Sequence, residues 1–141
     1  MTRLIGLTVA TVGVLTCAGC GNDTGLYPVS GKVLYKGQPA AGATVYFRHK
    51  GATESLHEQT PQGVVAEDGT FTLAGPAGHG ALPGEYVVLV EWKDGAGKRK
   101  GRSPALNAPD RLKHRYLDPA KPLLQAEVKA TTNQLPPFEL Q

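Results

Sequence analysis

The sequence predicts an all-β protein, a sandwich of seven short antiparallel strands, and three observations lead to this prediction. Apolar and polar residues alternate with a period of two in several short runs, which is typical of strands with one buried face. The 18 Gly and 11 Pro are scattered through the 141 residues without a period, so turns must be frequent. Seven such runs, about ten residues apart with turn residues between them, fit two packed antiparallel sheets.

The first predicted unit is a hairpin over residues 28–47, PVSGKVLYKGQPAAGATVYF. Val29 and Val33 share one face of its first strand, and Val45 and Phe47 share one face of its second. The turn between them is K-G-Q-P followed by small residues. Because Gly and Pro break the alternation at one place only, we expect two strands joined directly by this turn.

The next segment combines a long loop with a second hairpin. Residues 50–63, KGATESLHEQTPQG, are polar and without periodicity, and they predict a loop of unusual length. Short β-prone runs at 64–66 and 70–73 flank an Asp-Gly pair, which is a strong local hairpin signal. We expect Phe71 and Leu73, which share a face, to enter the core.

The second half of the chain contains the strand with the clearest signal. Residues 84–93, GEYVVLVEWK, carry a nearly continuous apolar run, which predicts burial on both faces and a central position in a sheet. The Gly- and Pro-rich stretch 74–83 before it predicts a loop. Two further strands are predicted at 123–130 and 134–140, and a Pro-Pro pair confines the last to an edge or a bulge.

One short helical turn is predicted near residues 109–116, PDRLKHRY. Asn107 is a suitable capping residue, and Leu112 and Tyr116 are four residues apart on the side expected to be buried.

The N-terminus predicts export. Residues 1–19 contain a short basic start followed by an apolar stretch of about sixteen residues, as in a secretory signal peptide. A transmembrane anchor is the alternative, but the stretch falls short of the roughly 20 apolar residues that a bilayer requires.

The signal segment ends in C-A-G-C, which resembles the lipobox of bacterial lipoproteins. Small residues there precede a cysteine that is acylated and becomes the new N-terminus, which assigns the lipid to Cys20. Cys17 departs from the pattern, because an aliphatic residue is usual three positions before the acylated cysteine. The interpretation divides the chain into a signal peptide (1–19), a lipidated tether (20–27) and one domain (28–141), while an ordinary secreted protein remains the alternative.

The motifs VSGKVLYKGQPAAGATVYF, EDGTFTL, LPGEYVVLVEW and the closing HRYLDPAKPLLQAEVKATTNQLPPFEL occur in one order over residues 29–140. Together they resemble the carboxypeptidase regulatory-like, transthyretin-like domains that occur as small lipoproteins, many in planctomycete-type bacteria. The resemblance implies a transthyretin- or prealbumin-like Greek key with an immunoglobulin-like arrangement. It implies no particular activity, because most such lipoproteins have none assigned.

The sequence predicts no enzyme, no cofactor and no metal site. A zinc motif would begin at His57, but Pro61 stands where its second histidine belongs. Hydroxyisourate hydrolases, which have a related fold, end in Y-R-G-S, whereas this chain ends in F-E-L-Q. Intradiol dioxygenases bind iron through two Tyr and two His, and the family's spacing is absent here. The histidines are spread over four segments, at His49, His57, His79 and His114.

Two features indicate a possible ligand or surface contact. The first is a basic cluster in a predicted turn, suited to anionic polysaccharide or lipid headgroups and formed by Lys98, Arg99, Lys100 and Arg102. The second is Trp92, which would serve an alternative function, a carbohydrate-binding module in which a sugar stacks on the ring. For both features a structural role, as a solvated turn and as a core aromatic residue, is the competing interpretation.

The expected function is that of a lipid-anchored, extracytoplasmic, non-catalytic domain on the cell membrane or outer membrane, with a structural or interaction role in the envelope. Its expected partners are the membrane and an envelope protein or polysaccharide. A formal charge of +3 without a concentrated basic face argues against nucleic acid.

Overall fold

The computed structural model describes residues 24–52, 60–97 and 107–141. Within these ranges the chain is all-β, and its strands form two sheets, as the sequence predicts for a sandwich. The same ranges contain no helix long and apolar enough to cross a membrane.

Eleven strands occur in the described residues, four of them only two residues long. In chain order they are β1 (Val29–Tyr35), β2 (Gln38–Pro39), β3 (Thr44–His49), β4 (Gln62–Val64), β5 (Thr70–Thr72), β6 (Ala74–Gly75), β7 (Gly78–His79), β8 (Gly84–Glu91), β9 (Leu124–Val128), β10 (Asn133–Gln134) and β11 (Phe138–Leu140).

The first sheet is built around β1. On one side β1 pairs antiparallel with β5 and, further along, with β2. On the other side it pairs parallel with β10 and then β11. The parallel pairings depart from the purely antiparallel sandwich that the sequence predicts, and they arise because the last segment of the chain returns alongside β1 in the same direction.

A bulge separates β10 from β11. Val29 is paired with Asn133 and Val33 with Phe138, so four steps along β1 correspond to five steps along the final segment. The Pro-Pro pair lies within this extra length, where proline's missing N–H removes no rung of the ladder. The prediction that prolines interrupt the last strand is confirmed.

The second sheet has the order β7-β6-β4-β3-β8-β9. Its longest strand, β8, pairs with β3 over six residues and with β9 over five. Tyr86, Val88 and Val90 of β8 are buried. The predicted interior position of this strand is confirmed.

Neither predicted hairpin forms, because the two strands predicted to pair in each of them belong to different sheets. Lys36 and Gly37 turn β1 into β2, whereas β3 pairs with β4 and β8 in the other sheet. The Asp-Gly segment does form a turn, in which the Ala66 amide donates to Thr70 O at 2.8 Å. However, β4 and β5 on its two sides also belong to different sheets.

The core lies between the sheets and centres on Phe47. Its ring centroid is 6.1 Å from that of Phe71, 5.8 Å from that of Tyr86 and 6.4 Å from that of Phe138. Phe71 and Leu73 are buried, as the sequence predicts. Burying one such side chain contributes about 1.5–3 kcal/mol, so these contacts hold the two sheets together without a disulfide in the described residues.

The predicted helical turn at 109–116 is wrong. Lys113 and His114 have positive φ angles, 53° and 58°, which a right-handed helix excludes. The segment instead forms successive tight turns around Asp110, whose carboxylate accepts backbone N–H groups in place of the predicted Asn107 cap. Leu112 and Tyr116 are nevertheless both buried, as the sequence predicts.

Candidate functional site

An open pocket of about 320 Å³ lies at the end of the molecule where the chain enters β1. Phe47 and Tyr86 contribute aromatic rings to it, and the exposed His49 ring, which contacts Tyr86, also lines it. We call it the His49 pocket. The other lining residues within the described ranges are Leu26, Gly51, Ala52, Thr60, Pro61, Gly75, Ala77, Gly78, Gly80 and Leu82.

The small side chains of the β6–β7 hairpin leave this space open. The hairpin reads A-G-P-A-G-H-G and replaces the loop that the sequence predicts there. Gly80 has a φ of 102° and lies directly against the backbone of Tyr27, so a side chain at this position would collide with it. Tyr27 in turn pairs with Ala81 through two hydrogen bonds of 2.9 and 3.0 Å, which fixes the entering chain beside the pocket.

The His49 ring is held in one orientation. It stands edge-to-face against the Tyr86 ring, with centroids 5.1 Å apart and planes at 85°. Its Nδ1 accepts a hydrogen bond from the Gly51 amide at 3.2 Å. In the neutral imidazole the proton is therefore on Nε2, which makes that atom a donor.

The polar groups around the pocket are mostly paired with one another. The Tyr86 hydroxyl donates to Leu82 O at 2.8 Å, and burial raises the pKa of this phenol above its usual range. Beside the pocket along the chain, Lys50 Nζ lies 3.2 Å from the Glu85 carboxylate, and neither of these residues is among those that line the pocket. The described lining of the pocket is therefore mainly apolar.

At the opposite end of the sandwich, Trp92 is a core residue with only 6% of its surface exposed. Its Nε1 donates to Ala41 O at 3.0 Å, and the Tyr35 ring meets it edge-on with centroids 5.6 Å apart. The Arg111 guanidinium lies 3.7 Å from the centre of its ring. With the ring so covered, Trp92 offers little surface on which a sugar could stack.

The other predicted contact residues, Lys98, Arg99, Lys100 and Arg102, and the predicted lipid attachment residue, Cys20, lie outside the described residues. His57 does as well.

Three of the four histidines are described, and they do not converge. His49 borders the pocket, His79 lies on the edge strand β7, and His114 lies in the turns after Asp110. Within ranges 24–52, 60–97 and 107–141, no three His, Cys, Asp or Glu side chains come close enough together to hold a metal ion.

Sequence reasoning missed the His49 pocket. The pocket exists because side chains are small along the β6–β7 hairpin, and in the sequence such residues indicate only a loop. The one signal that could have drawn attention to it is the number of Gly and Ala residues in 74–81 beside an apolar strand.

The comparisons with known proteins give no relative: no family model, no curated protein and no solved structure matches this chain.

Proposed function

We propose that this protein is a lipid-anchored, extracytoplasmic and non-catalytic domain that serves as a structural or interaction module of the cell envelope. The observation that carries the proposal is the C-A-G-C sequence at the end of an apolar segment. A thiol exposed at a processed N-terminus can carry acyl chains, and these hold a folded domain at a bilayer surface.

The fold supports this proposal by the way in which the chain enters it. Tyr27, the last residue of the predicted tether, is hydrogen-bonded to Ala81, so the tether is joined to the folded domain at this residue. Six residues separate Tyr27 from Cys20, and fully extended they span at most about 25 Å. A lipid on Cys20 would therefore keep the His49 pocket end of the domain close to the membrane.

We also propose the finer fold, a transthyretin-like Greek key of the carboxypeptidase regulatory-like type with seven main strands. Three strands that carry the motifs of the resemblance support it. The V-x-G-x-V motif lies on β1, the residues after Asp-Gly form β5, and P-G-x-Y-x-V leads into β8.

An interaction role is supported at the end opposite to the anchor. β1 has seven residues and so spans about 20 Å from the pocket end to the Trp92 end. Lys36 and Arg111 are both exposed there, packed over the rings of Tyr35 and Trp92. These cations would face away from the anchoring membrane, toward envelope proteins or anionic polysaccharide. The burial of Trp92 gives the carbohydrate-stacking alternative no comparable support.

The anchor is tested by measuring the intact mass of the protein purified from native membranes. We expect a mass equal to residues 20–141 plus acyl chains, and a protein that stays with the membrane fraction. The variant Cys20→Ala should lose both properties. The matched control is Cys17→Ala, which removes the neighbouring thiol and should leave both unchanged.

An unacylated mass in the soluble fraction would refute the anchor and return the localisation to simple secretion. Loss of acylation in Cys17→Ala but not in Cys20→Ala would move the lipid to the other cysteine.

A further inference from the structure

We propose that the exposed cations at the Trp92 end of the sandwich form a binding surface for an anionic polysaccharide that carries carboxylate groups. The surface consists of Lys36, Arg111 and Lys113, which are all exposed, and we call it the Arg111 patch. It would perform the interaction role proposed above, so the inference rests on that proposed function and names the partner.

Arg111 is held in place before any ligand binds. Its guanidinium lies over the Trp92 ring, with the central carbon 3.7 Å from the ring centre, and its amide donates to Trp92 O at 2.7 Å. A guanidinium packed on an aromatic face keeps the N–H donors around its edge, and two of them match the two oxygens of a carboxylate. Because this donor fork is already positioned, little side-chain entropy is lost when an anion binds.

Lys36 supplies a second cation, which a short series of contacts connects to the first. Its Nζ lies 5.3 Å from the centre of the Tyr35 ring, and that ring is 5.6 Å from the Trp92 ring on which Arg111 packs. A polymer with a carboxylate on every unit can meet both cations at once. Linked contacts of this kind raise the affinity of the polymer above that of a single unit.

The charge of the patch is not neutralised within the described residues. No ion pair of Lys36, Arg111 or Lys113 occurs there. The neighbouring Asp110 side chain is only 1% exposed, and its carboxylate is engaged by backbone amides. Residues 95–109 include no Asp or Glu, so the undescribed segment 98–106 adds no negative charge to this end.

The charge of the chain is also unevenly distributed in the sequence. Residues 92–116 contain eight Lys or Arg and two Asp, which amounts to +6, whereas the whole chain is +3 and the remainder is therefore −3. The part of the chain that carries most of the patch is thus the basic part. Such a distribution attracts a polyanion toward the Trp92 end.

The surroundings of the patch favour a polysaccharide over a protein or a bilayer. A protein interface usually has apolar anchors at its centre. The large hydrophobic residues exposed within the described ranges are not members of the patch, and Tyr35 and Trp92 lie under its cations. The proposed lipid holds the opposite end of the domain at the bilayer, which leaves this end accessible to a soluble polymer.

The experiment uses the full chain in phosphatidylcholine vesicles, with vesicles alone as the blank. Binding of polygalacturonate is followed by the fluorescence of Trp92, the sequence's only tryptophan, because an anion on Arg111 changes the surroundings of the ring. Cosedimentation of labelled polymer with the vesicles is the second measure. We expect saturable binding that weakens as salt is added, and little binding of the fully methyl-esterified polymer, which has the same backbone without the charge.

Variants at two patch positions test which groups bind the polymer. Arg111→Met keeps an unbranched chain over Trp92 but removes the donors, and should weaken binding about tenfold. Arg111→Lys keeps the charge without the planar fork and should weaken it about threefold. Lys36→Gln should also weaken it about threefold. Lys129→Gln removes one exposed charge next to the end of β9 that pairs with Gly84, and as the matched control it should bind as the unchanged chain does.

The proposal is overturned by binding no greater than the blank, by equal binding of the charged and esterified polymers, or by patch variants that bind like Lys129→Gln. A Trp92 response to vesicles containing phosphatidylglycerol that polygalacturonate does not reproduce would overturn it too, and would assign the patch to lipid headgroups. A thermal melt shows whether each variant is folded. If Arg111→Met is not, Lys36→Gln and Arg111→Lys provide the test.

The anchor and the patch fail separately. Cys20→Ala, measured in solution, should bind polygalacturonate as the unchanged chain does. Loss of acylation with polymer binding retained would refute the anchor alone, whereas an acylated chain that binds no polymer would refute the patch alone.

Discussion

The Asp110 carboxylate is hydrogen-bonded to the backbone of Trp92, whose amide nitrogen donates to Oδ1 at 2.8 Å. The same carboxylate accepts the amides of Leu112 at 3.2 Å and His114 at 2.7 Å. One buried anion thus joins the end of β8 to the turns that follow eighteen residues later. In the other direction, the Arg111 amide donates to Trp92 O at 2.7 Å.

We expect Asp110→Ala to lower the free energy of unfolding by about 3 kcal/mol, because it leaves several buried N–H groups without an acceptor. Asp110→Asn keeps one oxygen but turns an amide donor toward an N–H group, and should cost about half as much. Urea unfolding followed by fluorescence measures both, since Trp92 is the sequence's only tryptophan. Asp118→Ala, at an exposed turn, should change stability by less than about 1 kcal/mol. Equal losses at the two aspartates would contradict the special role of Asp110.

Asn133 closes the turn between β9 and β10. Its Oδ1 accepts the Lys129 amide at 2.8 Å, and its Nδ2 donates to Lys129 O at 3.0 Å and Thr131 O at 2.7 Å. Because the side chain is only 7% exposed, Asn133→Ala should cost about 2 kcal/mol of unfolding free energy. Asn107→Ala, at an exposed position, is the control and should lie within about 0.5 kcal/mol of the unchanged chain.

Gly37 and Gly42 have similar positive φ angles, but only Gly42 is crowded by neighbouring atoms. Alanine substitutions at the two positions therefore separate the free-energy cost of the left-handed backbone from the cost of a steric clash. Gly37 has a φ of 79° and open space where a Cβ would be, whereas Gly42 has a φ of 83° and would place a Cβ 2.5 Å from the carbonyl carbon of Ala96. Gly37→Ala should therefore cost only the left-handed backbone penalty, about 1 kcal/mol. Gly42→Ala should cost about 3 kcal/mol or more, because the backbone must also move apart. Chemical denaturation compares the pair, and equal costs would show that the contact with Ala96 is unimportant.

The Asp68 carboxylate lies beside Thr70, whose hydroxyl donates to it at 2.6 Å and whose amide donates at 3.0 Å. These bonds favour the charged form and lower the pKa of Asp68 below its ordinary value. The resulting stabilisation is present above the ordinary pKa of aspartate and is lost as the pH falls through the lowered value. In Thr70→Val the pKa of Asp68 should rise, as read from a carboxyl ¹³C NMR titration. Thr72→Val, on the same strand, should leave it unchanged.

The local pattern predicts which residues are buried better than it predicts which strands pair. Val33, Val45 and Phe47 are buried because period-two alternation is a property of each strand alone. The same alternation is compatible with either sheet, and Gly37 shows why the predicted hairpin is wrong. The turn there leads to β2, and this two-residue strand occupies the place beside β1 that the prediction gave to β3.

In residues 109–116, too, burial is predicted correctly whereas the backbone conformation is not. The spacing of Leu112 and Tyr116 indicates correctly that both face the core, but consecutive turns can satisfy it as well as a helix can. What decides the conformation is Asp110, whose partner Trp92 is eighteen residues away and outside any local window. The His49 pocket has even less local signal, because its lining brings together Leu26, Phe47 and Tyr86, which are far apart along the chain.

The parallel pairing of β1 with β10 and β11 has a mechanical consequence. A pull on the residues before Val29 and an opposite pull on the residues after Leu140 act along these strands in opposite directions. The force would therefore shear all the hydrogen bonds between these strands at once. These include the bond from the Lys36 amide to Leu140 O, 3.0 Å long, and the bond from the Leu135 amide to Ser30 O, 2.8 Å long. Hydrogen bonds that are loaded together must break together, whereas the hydrogen bonds of a hairpin pulled from its open end break one at a time. A domain with this strand order would resist mechanical unfolding by opposite forces applied to its two ends.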